Sequence, residues 1–188
     1  RKRVATLIKN SNSILVEDDP YGEIKFTDKE YLPIKRLIDN KGILLGSFSK
    51  IISPGMRMGW VVAAPPIIEK LLIAKQASDL HSNFLSQRII YQYLMDNVID
   101  EHINTIIKNY RDQKNCMINA INKHFPQDVT YVNPEGGMFI WAKLPEHITS
   151  RELLNLASTE KLAFVPGDVF YLHGEGLNTL RLNYTNSS

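Results

Sequence analysis

Gly42-Ile43-Leu44-Leu45-Gly46-Ser47-Phe48-Ser49-Lys50-Ile51-Ile52-Ser53-Pro54-Gly55-Met56-Arg57-Met58-Gly59-Trp60-Val61-Val62-Ala63-Ala64 sets two short apolar runs on either side of a turn rich in hydroxyls, glycine and proline. Neither run alternates polar with apolar residues. Near-continuous apolarity over so short a length is the pattern of strands buried on both faces, as in a mainly parallel sheet covered by helices. Upstream, Ser13-Ile14-Leu15-Val16-Glu17-Asp18 repeats the design, an apolar run closing on acids and then on the turn Asp19-Pro20-Tyr21-Gly22. In open α/β sheets, groups at strand ends gather along one edge, where ligands bind. Asp18 and Ser47 are therefore expected as neighbours.

From Ile67 to about Lys123 the period becomes helical: Ile67, Leu71, Leu72 and Ala74 in one stretch, Leu85, Ile89, Tyr93 and Leu94 in the next. A longer helix is expected from Val98 through Ile103, Ile106, Ile107, Tyr110 and Met117 to Ile121, long enough to bridge two domains. Pro126 ends it. Short strand-like runs follow at Val129–Val132, Gly137–Trp141, Ala163–Gly167 and Leu180–Tyr184. Between them Ser150–Glu160 reads as one helix, with Ser150 as its cap and Leu153, Leu154 and Ala157 on its apolar face. The expected organisation is part of a large α/β domain over 1–97, a connecting helix over 98–123 and part of a small α+β domain over 124–188. The chain opens on Arg1 in what reads as mid-helix and closes on Ser187-Ser188 directly after a strand-like run, so it reads as an internal piece of a larger protein.

With 188 residues and 44% hydrophobic composition the chain can bury a substantial core. A net charge of +2, from 22 basic and 20 acidic residues scattered along the chain, offers neither a basic face for nucleic acid nor a polybasic tail for lipid. No apolar run reaches the ~20 residues a bilayer span needs, and the first residues lack the apolar segment of a signal peptide. A single cysteine, Cys116, makes no internal disulfide and reads as an ordinary helix residue; it fits a reducing, cytoplasmic setting. The five histidines show no metal-ligand spacing. Ser47 lacks the glycine frame of a nucleophile elbow, and Gly174 and Gly176 lack the strand-turn-helix context of a dinucleotide loop.

What remains is the chemistry of the strand ends. A lysine held there can be desolvated and form a Schiff base with an aldehyde, although a lone lysine after a strand is ordinarily solvated. Arg57 lies across Ser53-Pro54-Gly55, a turn that can bring a planar cation beside Ser47 and Ser49; that set suits a phosphate. Lysine plus phosphate site is the pairing that pyridoxal phosphate requires, with an aldehyde at one end and a phosphate at the other. Asp18, or Asp19 in its place, could face a pyridine nitrogen and keep it protonated, and Tyr21 could bond the ring's phenolic oxygen; Asp-Asp-Pro-Tyr-Gly is also good turn chemistry in its own right. Arg181 interrupts the apolar run Thr179–Tyr184, where a cation must snorkel, pair with an acid or await an anionic ligand such as a substrate carboxylate. Gly136-Gly137 permits a close backbone approach.

Taken in order, Glu17–Gly22, Ser47-Phe48-Ser49-Lys50, Pro54–Gly59, Pro134-Glu135-Gly136-Gly137-Met138-Phe139 and Arg181-Leu182-Asn183-Tyr184 resemble the fold-type I pyridoxal-phosphate enzymes of the class I and II aminotransferase family. The details are most similar to the branch holding 2-aminoadipate and kynurenine aminotransferases and the GntR-type regulators with an aminotransferase-like domain. The resemblance implies a mainly parallel, three-layer large domain plus a smaller α+β domain, truncated here at both ends. It makes Lys50 the internal aldimine lysine and proton shuttle, and gives Asp18 the pyridine nitrogen, Tyr21 the phenolic oxygen, Ser47, Ser49 and Arg57 the phosphate, and Arg181 the substrate carboxylate. It implies amino-acid and 2-oxo-acid substrates and a homodimer, with the stretch around His81-Ser82-Asn83 facing the second subunit. Family members carry a glycine-containing phosphate loop, a ring-stacking aromatic and an asparagine that none of these residues supplies, so the piece alone is expected to bind cofactor weakly. The alternative reading is an effector-sensing domain, in which nucleic acid becomes a partner only if a winged helix lies upstream. Lyase or decarboxylase chemistry is open on the same cofactor.

Overall fold

The run that opens at Gly42 forms the central strand of a small sheet. In the computed structural model, which describes residues 1–186, the order is α1 (Lys2–Lys9), β1 (Leu15–Asp18), α2 (Lys35–Ile38), β2 (Gly42–Ser47), β3 (Gly59–Val62), α3 (Pro65–Asp79), α4 (Phe84–Asp96), α5 (Ile99–His124), β4 (Thr130–Val132), β5 (Phe139–Lys143), α6 (Ser150–Thr159), β6 (Val165–Pro166) and β7 (Thr179–Asn183). The chain divides into two compact units. One holds Arg1–Glu23 and Asp28–Asn104; the other holds Ile24–Thr27 and the chain from Thr105 onward.

In the first unit β2 lies between its neighbours, in the order β1-β2-β3. β1 pairs parallel to β2, with Asp18 opposite Leu45, and β3 returns antiparallel, with Gly59 opposite Ser47. A parallel pair needs a crossover, which residues 19–41 supply with α2; the shorter loop 48–58 can only turn the chain back. Polar side chains fasten this arrangement. Glu17, on the face of β1 opposite Asp18, takes Arg1 Nη1 and the Lys35 backbone N–H, each at 3.0 Å. Lys41 Nζ caps the end of α1 by donating to the carbonyls of Ile8, Lys9 and Ser11, where a cation also suits the helix dipole. Pro65 and Pro66 open α3, where their missing N–H groups cost nothing. Asn83 caps α4 by accepting from the Ser86 N–H at 3.0 Å.

Within the described residues the strands of this unit are not covered on both faces. β3 is exposed along its length, Val16 of β1 is 56% accessible, and the sheet holds one parallel and one antiparallel pair.

The second unit is an antiparallel sheet in the order β4-β5-β7-β6. Its faces follow the period of two that strands impose. Ile140, Ala142 and Leu144 point inward with Leu180; Ile140 and Tyr184 meet Ile118 and Ile121 from one stripe of α5. Phe139 and Trp141 therefore share the opposite face with Arg181, which pairs with Trp141. α6 begins where the sequence places it, but its cap is Thr149, which accepts from the Glu152 N–H at 3.3 Å, and Ser150 is wholly buried behind it. The reason is register: a cap must precede the first helical turn, and Ser150 is already inside it.

Gly136-Gly137 makes the close approach its composition suggests. Phe26 N–H donates to Glu135 O and Gly137 N–H donates to Ile24 O, both at 2.8 Å, so the strap Ile24–Thr27 is pinned as a short extra pairing. A Cβ on Gly136 would lie 2.4 Å from Ile24 O, and Gly137 has φ +80°. Tyr184, wholly buried, completes the junction by donating its hydroxyl to Gly137 O at 2.7 Å. Burial, with Tyr110 as a lesser cause, pushes that phenol well above its ordinary range, so it stays a donor. Tyr184→Phe should cost about 1–2 kcal/mol by stranding a buried carbonyl, and Tyr184→Ala about 3–5 kcal/mol by opening a cavity; equilibrium urea unfolding of the full-length protein measures both.

Candidate active site

Because β1 and β2 are parallel, their C-terminal ends fall at one edge of the sheet. Asp18 closes β1 and Ser47 closes β2. Since Gly59 pairs with Ser47, the turn before β3 returns to the same edge and brings the backbone of Arg57 with it. The chain between them is folded tightly: Ile52 and Ser53 N–H both donate to Phe48 O, and Phe48 N–H donates to Met58 O. Lys50 rides on this turn, half-buried, with Nζ 6.0 Å from the centroid of the Tyr21 ring. The expected meeting of the two strand ends is thus observed, and Lys50 and Tyr21 meet as well.

The donors differ in how far they are engaged. Ser47 Oγ accepts from the Ser49 N–H at 3.0 Å, which leaves its O–H to donate elsewhere. Arg57 has φ +53° and ψ +41°, a left-handed conformation that a residue with a side chain adopts at a cost, and its guanidinium rests on Pro54 O at 3.3 Å. The backbone of Arg57 reaches the serines' edge, but no hydrogen bond joins the guanidinium to either hydroxyl. Of the two acids left open by sequence, Asp19 is committed to its turn, with its carboxylate folded against Gly22, where a Cβ would lie 2.3 Å from Oδ2. Asp18 is exposed at the strand end, and among the described residues no hydrogen bond or ion pair occupies its carboxylate.

Gly46 is the residue that lets the edge form. The Trp60 ring lies directly over it, and a Cβ there would fall 2.1 Å from a ring atom. His81 and Asn83, which sequence directs toward a second subunit, serve locally: His81 Nδ1 meets Ser82 O at 2.9 Å and Asn83 caps α4. Cys116 is an exposed residue of α5, as expected. Among the described residues no His, Cys, Asp or Glu cluster could hold a metal, and no helix is long and apolar enough to cross a membrane.

In the second unit Arg181 sits on β7 between Trp141 of β5 and Val165 of β6. Of the three fates open to it, the described residues exclude an acidic partner. Its guanidinium carbon lies 4.0 Å from the Phe139 centroid and 4.8 Å from the Phe170 centroid, and its Nε is buried without a hydrogen bond. Trp141 meets the Phe170 ring edge-on at 5.5 Å. Sequence reasoning missed these rings. Phe139 and Trp141 carried a usable signal, since residues two apart on a strand share a face; Phe170, on the turn Gly167–Phe170, carried none.

The chain is similar to known proteins along its whole length. The chain is 43% identical over 187 residues to an aromatic-amino-acid aminotransferase 1 of Thermococcus litoralis, covering 98% of this chain and 45% of that protein. It superimposes on a kynurenine aminotransferase of Pyrococcus horikoshii, solved in complex with PMP, with a TM-score of 0.93 and 40% identity over 100% of this chain and 46% of that one. It is also 32% identical to the HTH-type transcriptional regulator NorG of Staphylococcus aureus, over 98% of this chain and 41% of the regulator. The chain spans about half the length of the curated relatives it matches. The family model for Aminotransferase class I and II matches residues 2–188, and the chain belongs to that family.

Proposed function

We propose that the protein to which this chain belongs moves an amino group between an amino acid and a 2-oxo acid, with pyridoxal phosphate as cofactor. One observation carries the reading: a half-buried lysine, two hydroxyls, an arginine and an uncommitted carboxylate share one edge of a sheet, with Lys50 Nζ 6.0 Å from the Tyr21 ring. The donor set fits the cofactor's chemistry from end to end. Ser47, Ser49 and Arg57 would hold the phosphate, Lys50 the aldehyde, Tyr21 the phenolic oxygen and Asp18 the pyridine nitrogen. When bound, the cofactor supplies an electron sink for the pair released as a bond at the substrate Cα breaks.

The chain's own residues set up the rest. Asp18, placed as an anion opposite a ring nitrogen, favours the protonated ring. As a neutral amine, Lys50 Nζ would accept the proton leaving the substrate Cα and hold it for return. Arg181 would take the substrate carboxylate, for which its planar cation is suited. Localisation in the cytoplasm and assembly as a homodimer are part of the proposal, the first supported by a lone cysteine.

The similarity to NorG favours a second reading, an effector-sensing domain of a GntR-type regulator. Turnover separates the two. The full-length protein, mixed with an amino-acid panel and 2-oxoglutarate, should transaminate and should show the visible absorption of bound cofactor. Lys50→Ala should abolish that band and lower turnover by about 10²- to 10⁴-fold; a protein with no band, or one whose band survives the substitution, would overturn the assignment of Lys50. A band without turnover, together with a winged-helix segment upstream, would decide for the sensor.

Arg57 gives a sharper division between stability and chemistry. Arg57→Gly should leave folding stability level or raise it by up to about 1 kcal/mol, because glycine adopts the left-handed conformation freely. The same variant should bind cofactor more weakly, as read by titration of the apoprotein. Loss of stability with cofactor affinity intact would show that the guanidinium serves the fold and not the phosphate.

A further inference from the structure

Arg181 is held by rings, and among the described residues no charged group pairs with it. β7 lies between β5 and β6, so its two neighbours approach from either side. Phe139 comes from β5 as the diagonal neighbour on the face Arg181 occupies, and Phe170 comes from the turn that follows β6. Both rings present to the guanidinium within the range of a cation–π contact, at 4.0 and 4.8 Å. Trp141, directly opposite Arg181 in register, meets Phe170 edge-on at 5.5 Å and Tyr171 at 6.3 Å, and so backs the Phe170 ring.

Such an arrangement treats the two aspects of the guanidinium differently. Ring faces attract the cation through their quadrupole but accept no hydrogen bond worth the name in exchange, so the N–H donors along its edge are not consumed. An acid in the same place would hold the side chain as firmly and spend those donors. The conformational freedom of a long side chain is meanwhile lost on folding and not on binding, which raises affinity for whatever the edge then meets. The buried, unpartnered Nε shows the other side of the exchange: the fold leaves one donor unsatisfied to keep the group in place.

We propose that Phe139 and Phe170 are positioning residues: they hold the Arg181 guanidinium against their rings with its donor edge unspent, ready for a carboxylate. This rests on the aminotransferase reading for the identity of that carboxylate. Neither ring touches the reacting atoms. Their contribution is made through Arg181, so it belongs to carboxylate binding and not to the chemical step.

The test uses the full-length holoprotein and propionate, a small amine-free carboxylate that preserves the group in question. Phe170→Leu keeps apolar volume at a half-exposed position and removes the ring face; Phe170→Tyr keeps the face; Phe139→Leu is the second variant should the first fail to fold. Phe170→Leu should raise KM for the best amino acid and the propionate dissociation constant in parallel, by about 3- to 30-fold. kcat, the cofactor absorption band and the melting temperature should stay near the parent's, and Phe170→Tyr should restore both constants. Unchanged constants in Phe170→Leu and Phe139→Leu, or a Tyr variant as impaired as the Leu one, would overturn the clamp. Propionate binding by calorimetry does not require turnover, so a protein that fails to transaminate overturns the function and leaves the clamp to be judged on that constant. If Arg181→Ala leaves propionate binding unchanged, Arg181 is not the carboxylate group and the clamp falls with it.

Discussion

Hydrogen bonding of β2 on both its sides is the constraint on which the site depends. A strand with one parallel and one antiparallel partner delivers three chain ends to one place: the C-terminal end of β1, its own C-terminal end and the start of β3. Slip the β2–β3 register by one residue and Gly59 no longer faces Ser47, the Trp60 ring no longer lies over Gly46, and the turn carrying Lys50 changes its path. Gly46 fixes that register from within, since any larger residue would collide with the ring above it. The chemistry at the edge is therefore set by backbone pairing before any side chain is chosen.

Much of this was legible in the sequence for a simple reason. Short apolar runs closed by turns mark strand ends, and parallel strands put their ends together, so Asp18 and Ser47 could be placed as neighbours without coordinates. The helical period gave α3, α4 and α5 within a few residues of their observed limits. Exposure was less legible. Val16, Val61 and Val62 are exposed in this chain, and apolarity reports what a residue could bury, not what is set against it. The cap of α6 failed on a similar point: Thr149 and Ser150 are both good caps, and the one-residue choice is made by where the first turn starts.

Side-chain commitments were beyond reach of the sequence, and they carry the most information about function. Glu17 and Asp18 are adjacent acids on one strand, and alternation sends them to opposite faces. Glu17 is consumed by Arg1 and by the start of α2; Asp18 is not consumed. Lys41 spends its donors on three carbonyls at the end of α1, whereas Lys50, on the turn after β2, meets the face of an aromatic ring and, among the described residues, no hydrogen-bond acceptor. Arg151 pairs with Asp168 at 2.7 Å, whereas among the described residues Arg181 meets rings and no acid. No composition or spacing separates the members of these pairs.

The uncommitted members do not weigh equally. Asp18 is exposed, where water satisfies a carboxylate at little cost, so its freedom is permissive and no more. Lys50 is half-buried and has given up part of its hydration for a ring 6.0 Å away, which is a modest exchange for a strongly hydrated ammonium. Arg181 has the most at stake, with a donor buried and unsatisfied. A fold seeking only stability could have placed leucine in that strand, continuous with Leu180 and Leu182, at no penalty. That it carries a cation instead, gripped by aromatic faces that leave its edge donors unspent, is the point at which the structure departs furthest from what packing alone would select.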